Sequence, residues 1–516
     1  MPQTNRSITT SSLVAPASSH TRLIQVVDAL VKRTNGEPWG VRELAAELSE
    51  SRSTVNRILV SLVDIGFASE AGDGKYSVGP RIDVLTKALS DSSVLLGLRG
   101  KSLGQLAEAS KCTALVSIYC PRSRGYFIAA CSEAEATLTF RPQLGVVYPL
   151  SFGDIGRQLA NYLDANALCT PPQDERGDLE YIFRTDNALG LLSESEFPSA
   201  LSIVVERIAS GLIISVSVHS AGSADSRIRR PLDADVLRVI EEITGDIESK
   251  TFQKLQAYPA LSTKDNKSTV DRLERLLLLA CIFPDGLINS VELYDQLLCN
   301  AATAKRLIQS GVEAELVSLV GGTLYPGPRL YQWTARMNSA HRNLADITRK
   351  ILSTLVQETG ETIALLSFDE VTEKAEFLDV IQGWRPIQYK LQVNVDVPLY
   401  AGAAGKAVLA YCAPHLVDSL KLVKITDATI TSRKVLKEEL VTIKERGWAT
   451  GEGERVLGAF GLAVPFFVDG KIRGSISATI PQYRKDERDL PMLTSLMREA
   501  TAKIERLLSL GVKTGQ

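Results

Sequence analysis

The sequence predicts an α+β protein made of two tandem units, and three observations carry that prediction. Residues 41–79 read as two short amphipathic helices followed by a Gly-rich hairpin. Strand-like runs at 113–119, 126–131 and 212–219 stand apart from long amphipathic helices, the pattern of helices packed on an antiparallel sheet. Segments of the first half then recur in the second.

Composition narrows the function classes. The 516 residues are 45% hydrophobic and 23% charged, which suits several packed domains. The formal net charge is −2, so any nucleic-acid surface must concentrate its cations locally. Seven cysteines form no C-x-x-C pair, and the four histidines (His20, His219, His341, His415) are scattered, so neither a metal site nor another cofactor is expected. The strongest apolar run, 276–283, is far short of the roughly 20 residues a membrane span needs. No membrane association is expected, and the cytoplasm is the expected compartment.

Within 41–79, Val41, Leu44, Ala45 and Leu48 mark one face of a short helix. Val55, Ile58, Leu59 and Leu62 recur at i, i+3, i+4 and i+7 on the next. The opposite face of that second helix carries Arg52, Ser53, Asn56 and Arg57, and Ser51 can cap it. Orphan N–H groups in its first turn suit a phosphate oxygen. The run Ala71-Gly72-Asp73-Gly74 supplies hairpin conformations, with Lys75 at the tip. The order of parts is that of a winged helix-turn-helix, and the expected partner is double-stranded DNA.

RSTVNRILVSLVDIGF followed by GKYSVGPR resembles the DNA-binding domain of IclR-family bacterial transcription regulators. In that family a Ser-Thr-Val-x-Arg run, here Ser53-Thr54-Val55-Asn56-Arg57, opens the recognition helix, and Tyr-x-x-Gly-Pro-Arg ends the wing. The resemblance implies that Ser51, Arg52, Ser53, Thr54, Asn56, Arg57 and Lys75 form the DNA face.

The order along the chain is a disordered arm (1–19), the winged domain (20–79), a linker helix (80–95) starting at Pro80, and a shortened sensor-like domain (96–255) closed by a helix over 234–255. A linker (256–268), a degenerate winged domain (269–327), a second linker helix (328–345) and an effector-binding domain (346–511) follow. The repeat behind these boundaries aligns Arg52–Leu59 with Ala301–Ile308, Gly79-Pro80-Arg81 with Gly327-Pro328-Arg329, and Pro149–Arg157 with Pro398–Lys406.

The halves diverge in opposite directions. The second recognition-like helix keeps Lys305 and Arg306 but loses its cap, replaces Arg52 by Ala301 and Leu62 by Gly311, and has a shorter wing without a basic tip. An interior Gly costs about 1 kcal/mol relative to Ala, and loss of the buried Leu side chain is expected to add to that, so the second winged domain is expected mainly to pack or dimerise. In the sensors, 397–410 resembles the family's effector-domain signature and implies a GAF-like fold. Small residues at Ala403, Ala404, Gly405 and Gly461 would let a ligand approach a helix start. Along 471–480, Ile472, Ile476, Ala478 and Ile480 alternate with Ser475, Ser477 and Thr479. The family match puts Ser477 and Thr479 on the pocket side, and its acidic residue falls at Gly451, with Glu452 next to it. In the first sensor Asp154 and Ile155 stand where the second has Ala403 and Ala404, so no intact small-acid pocket is expected there. Glu133, Glu135, Glu194 and Glu196 read as solvated charges.

The expected function is a ligand-responsive transcription regulator. Its first winged domain reads an operator, and its second sensor binds a small metabolite, an organic acid, to control a catabolic gene set. The competing reading is a ligand-independent DNA-binding scaffold controlled by a protein partner. No nucleophile–base pair or metal set supports an enzyme. Whether the tandem chain imitates a dimer within one molecule or forms a homo-oligomer stays open.

Overall fold

The computed structural model describes residues 19–34, 37–97, 102–134, 140–168, 198–220, 232–245, 268–339, 344–385, 391–393 and 395–510. Most of the N-terminal arm, the 256–267 linker, and the charges Glu135, Glu194 and Glu196 lie outside them.

Three helices, Ser19–Lys32, Val41–Glu47 and Arg52–Asp64, precede a wing of strands β2 (Ala68–Glu70) and β3 (Lys75–Val78), with β1 (Trp39–Gly40) pairing on the other side of β3. Val55, Leu59 and Leu62 are fully buried, as their spacing predicts. Trp39 closes this core, its indole N–H donating to the Ala29 carbonyl at 2.9 Å. At the wing turn Gly72, Asp73 and Gly74 all have positive φ. Pro80 opens the linker helix Pro80–Ser92. The helix stops earlier than the expected residue 95, because Ser93 turns extended before the short helix Val94–Gly97.

The first sensor contains helices Ser102–Ser110 and Gly153–Ala165, strands β4 (Thr113–Cys120), β5 (Gly125–Ser132), β6 (Val147–Pro149), β7 (Ala200–Arg207) and β8 (Ile213–His219), and helix Leu232–Gly245. Its antiparallel sheet has the order β6-β5-β4-β8-β7. The expected 234–255 helix is described only to Gly245.

The second winged domain repeats the first with helices Thr269–Ile282, Val291–Gln296 and Ala301–Glu313, and strands β9 (Leu287–Ile288), β10 (Val317–Val320) and β11 (Thr323–Pro326). Its sheet order, β10-β11-β9, mirrors β2-β3-β1. The second linker helix, expected over 328–345, is described over Pro328–Ser339, and helix Leu344–Thr359 opens the second sensor. That domain continues with β12 (Thr362–Asp369), β13 (Lys374–Ile381), helices Ala403–Leu409, Pro414–Ser419 and Arg433–Arg446, strands β14 (Ala449–Glu452), β15 (Ala459–Val468) and β16 (Lys471–Pro481), and helix Leu490–Leu508. The order β13-β12-β16-β15 reproduces β5-β4-β8-β7, and β14 then extends the second sheet beyond β15. One face packs on helices Leu344–Thr359 and Leu490–Leu508 through Leu352, Leu355, Met497 and Ile504. The other packs on the short helices through Ala407, Val408, Leu436 and Ile443.

The two units interlock. Linker helix Pro80–Ser92 packs on Thr269–Ile282 and on Pro328–Ser339, while Ser19–Lys32 packs on Pro328–Ser339. Arg81 pairs with Glu274 at 2.6 Å and Arg329 with Asp28 at 3.0 Å, so each Gly-Pro-Arg arginine reaches the first helix of the other unit. A single apolar core runs from Leu23 through the first sensor to Met337.

Three expectations need correction. The second recognition-like helix keeps a cap, since the Asn300 side chain accepts from the Thr303 N–H at 2.9 Å. Gly311 leaves no void: a Cβ there would lie 2.9 Å from Val317 Cγ2 and 3.2 Å from Leu276 Cδ2. Ile472 packs on the opposite face from Ile476 and Ile480, because a bulge pairs Phe466 with Gly474 and Phe467 with Ile472 and so reverses the alternation.

Candidate nucleic-acid interface and effector pocket

On helix Arg52–Asp64 the Ser51 hydroxyl accepts from the Thr54 N–H at 3.2 Å and lies 3.0 Å from Ser53 Oγ and 2.9 Å from Thr54 Oγ1. This fixes the helix start and leaves Thr54 half-buried. Arg52, Ser53, Asn56 and Arg57 are exposed on the face away from Val55, Leu59 and Leu62. Lys75 is exposed where β3 leaves the wing turn. Among the described residues the side chains of Arg52, Asn56, Arg57 and Lys75 meet no hydrogen-bond or ion-pair partner. Arg42, exposed on the preceding helix, is a further cation that the sequence reading missed, because it falls between two apolar-face positions. The second recognition-like helix exposes Ala301 and Ala302 at its start, with Lys305 and Arg306 one turn later. Its wing closes with Gly321 and Gly322 at φ 57° and 81° between Val320 and Thr323.

In the second sensor a cavity of about 50 Å³ opens beside β15 and β16. Of the residues singled out from the sequence, Ala403, Ala404, Gly461, Ser477 and Thr479 line it. Gly405 does not; it packs against the preceding loop, where a Cβ would fall 2.5 Å from the Pro398 carbonyl oxygen. Glu452 is exposed and turned away, its carboxylate held by Lys485 and Gln482 at 2.8 Å each. The carboxylate in the cavity wall is Glu454, which accepts from the Gly402 N–H at 2.8 Å and from Lys406 Nζ at 2.6 Å. The positive φ of Gly453, 67°, turns the chain after β14 and separates the two glutamates. Arg455 also lines the cavity, a residue the sequence reading did not single out.

The corresponding place in the first sensor is filled. Ile155 is fully buried, and Asp154 accepts from the Ala200 N–H at 2.8 Å and pairs with Arg157 at 2.6 Å. Burial opposes ionisation of Asp154, but the Ala200 N–H and Arg157 hold its carboxyl below the usual carboxylate range. His219 stands where the second sheet has Thr479: it faces Thr113 across the register as Thr479 faces Thr362. Its ring lies 3.0 Å from Ser217 Oγ, and burial pushes its imidazole pKa down.

The family model described as IclR helix-turn-helix domain matches residues 19–71, and that described as Bacterial transcriptional regulator IclR C-terminal matches 338–506. The transcriptional repressor IclR of Escherichia coli is 30% identical over 217 residues, 40% of this chain and 79% of that protein. The chain belongs to the IclR family. The regulator BhcR of Paracoccus denitrificans, another relative, is 31% identical over 176 residues, 33% of this chain and 60% of its own length. The solved structure of Thermotoga maritima IclR is 24% identical with a TM-score of 0.31, covering 46% of this chain and 98% of that one. As an IclR-family protein, the chain is a transcription regulator with an N-terminal DNA-binding helix-turn-helix and a C-terminal ligand-binding domain, and not an enzyme. Among the described residues no helix is long and apolar enough to cross a membrane, and no three His, Cys, Asp or Glu side chains gather to hold a metal.

Proposed function

We propose that the first winged domain alone reads bases, and that the second sensor controls it by binding a small organic acid and thereby regulates a catabolic gene set. Arg52, Ser53, Asn56 and Arg57 would contact base edges, with Ser51, Thr54 and Lys75 on the backbone. The effector would lie among Ala403, Ala404, Gly461, Ser477 and Thr479. One coincidence carries this reading: the two family models match the winged domain with the free basic face and the sensor with the open cavity. The second winged domain would serve as the packing partner that completes an intramolecular pseudo-dimer, touching DNA at most through backbone contacts of Lys305 and Arg306.

Sequencing the DNA that the full chain selects tests this division of labour. Arg57→Ala is expected to weaken operator binding by about 1–3 kcal/mol and to relax one base position. The Lys305→Ala/Arg306→Ala variant is expected to weaken binding evenly without changing the selected sequence. A second information-rich half-site lost in the latter variant would overturn the proposal. Operator binding indifferent to every small acid would favour the partner-controlled scaffold.

A further inference from the structure

The effector cavity carries a charge pattern that differs from the one its family resemblance implies. An acidic residue is expected at Gly451, yet a Cβ there would lie 2.7 Å from the Ala403 nitrogen and 2.8 Å from Gly402 Cα. No side chain fits while β14 lies this close to helix Ala403–Leu409. The acid that does line the cavity, Glu454, is already neutralised by Lys406, which is 1% exposed and donates at 2.6 Å. The remaining ionisable group in the lining is Arg455.

Arg455 is placed firmly. Its backbone follows Gly453 and Glu454, whose carbonyls accept from Thr426 Oγ1 at 2.7 Å and from Thr429 Oγ1 at 2.7 Å. The Gly453 N–H donates to the Ala459 carbonyl at 2.8 Å, which closes the loop at its base. The guanidinium lies 4.9 Å from the Phe377 ring and, among the described residues, has no hydrogen-bond or ion-pair partner. The residue is half-buried, burial lowers its pKa, and among the described residues no anion pairs with the cation. Ser477 and Thr479 also line the cavity; the Ser477 hydroxyl meets no protein partner among the described residues, whereas Ser475, one pleat away, donates to the Ala404 carbonyl at 3.0 Å.

We propose that Arg455 is the anion-recognising residue of this pocket: its guanidinium takes the carboxylate of a small monoanionic effector, and the hydroxyls of Ser477 and Thr479 take the polar group beside that carboxylate. The inference rests on the second sensor being the effector site. One uncompensated positive charge calls for one negative charge, and a planar fork of N–H donors matches a carboxylate.

The test is calorimetry and thermal shift on the full chain with pyruvate, lactate, succinate and the neutral lactamide. The wild type is expected to bind a monocarboxylate and to reject lactamide. Arg455→Met, which keeps an unbranched side chain without the charge, is expected to lose about 10–100-fold in affinity, and Arg455→Lys less. Glu452→Ala is expected to leave affinity unchanged. An unshifted melting temperature of the ligand-free variants shows that the domain is folded. Binding of a monocarboxylate that survives Arg455→Met overturns the role of Arg455 and leaves the pocket standing. Equal binding of lactamide, or a preference for succinate, overturns the monoanion assignment. Binding of none of the four overturns the assignment together with the pocket reading beneath it.

Discussion

At the scale of single residues, the exposed polar face of helix Arg52–Asp64 was legible and the cavity lining only half so. Arg52, Asn56 and Arg57 lie opposite an apolar stripe whose 3.6-residue period is local, so their exposure follows from sequence spacing. The pocket carboxylate could not be chosen this way, because Glu452 and Glu454 are two apart and an unbroken strand would put them on the same face. The turn at Gly453 sends one to Lys485 and the other to Lys406. Asp28 shows the same dependence on distant partners. It is buried beside Arg329 at 3.0 Å and accepts from the Trp333 indole N–H at 2.9 Å, with Lys32 at 3.5 Å. Burial opposes its ionisation, but Arg329, Lys32 and Trp333 hold its carboxyl far below the usual carboxylate range. A depressed folded-state pKa means that Asp28 stabilises the fold above its unfolded value and loses that contribution as pH falls through the folded one. Asp28→Asn is expected to cost about 3 kcal/mol in urea unfolding at neutral pH. The deficit should shrink once the pH drops below about 4.

At the scale of elements, the two winged domains are the same solution reached with different residues. Gly79 and Gly327 each sit where a Cβ would fall 2.2 Å from a carbonyl oxygen, that of Gly66 in one domain and of Glu315 in the other. The repeated Gly-Pro-Arg was therefore a reliable sign of a repeated wing-to-helix junction. The substitution of Gly311 for Leu62 was misleading, since local spacing predicts a missing core side chain. In the fold, Val317 and Leu276 occupy that space. Gly311→Leu, which restores the first domain's residue, is expected to destabilise the protein by about 1–3 kcal/mol through overpacking. A gain in stability in chemical denaturation would show that the site holds a real void.

At the scale of the whole molecule, Arg81 joins three parts of the chain that sequence leaves far apart. It is 1% exposed, donates to Glu274 at 2.6 Å, and donates to the Leu507 and Ser509 carbonyls at 3.0 Å and 2.6 Å. The first linker helix, the second winged domain and the last helix of the effector-binding sensor thus meet at one guanidinium. Beside it a cleft of about 980 Å³ is lined by the first winged domain, helix Thr269–Ile282 and the sensor helices Leu344–Thr359 and Leu490–Leu508. If effector binding moves helix Leu490–Leu508, Arg81 is the direct route to the first winged domain. Arg81→Lys keeps a cation beside Glu274 but cannot hold both carbonyls. It is expected to bind operator and effector separately while losing most of the coupling between them, typically about 1–3 kcal/mol in such systems. Operator titrations with and without effector would measure this, and full coupling in the variant would exclude the route.

The sequence by itself determined what depends on neighbours within one helical turn or one hairpin: the apolar stripes, the Ser51 cap, the glycine turns, the repeated junction and the basic face. Only the tertiary structure decided which glutamate enters the cavity, that Gly311 is filled, and that each unit's arginine is claimed by the other unit's first helix. These outcomes depend on chain segments brought together from beyond a single turn or hairpin: Lys406 lies 48 residues from Glu454, and Arg81 lies 193 from Glu274. Burial and charge pairing there are set by the closed fold rather than by local spacing.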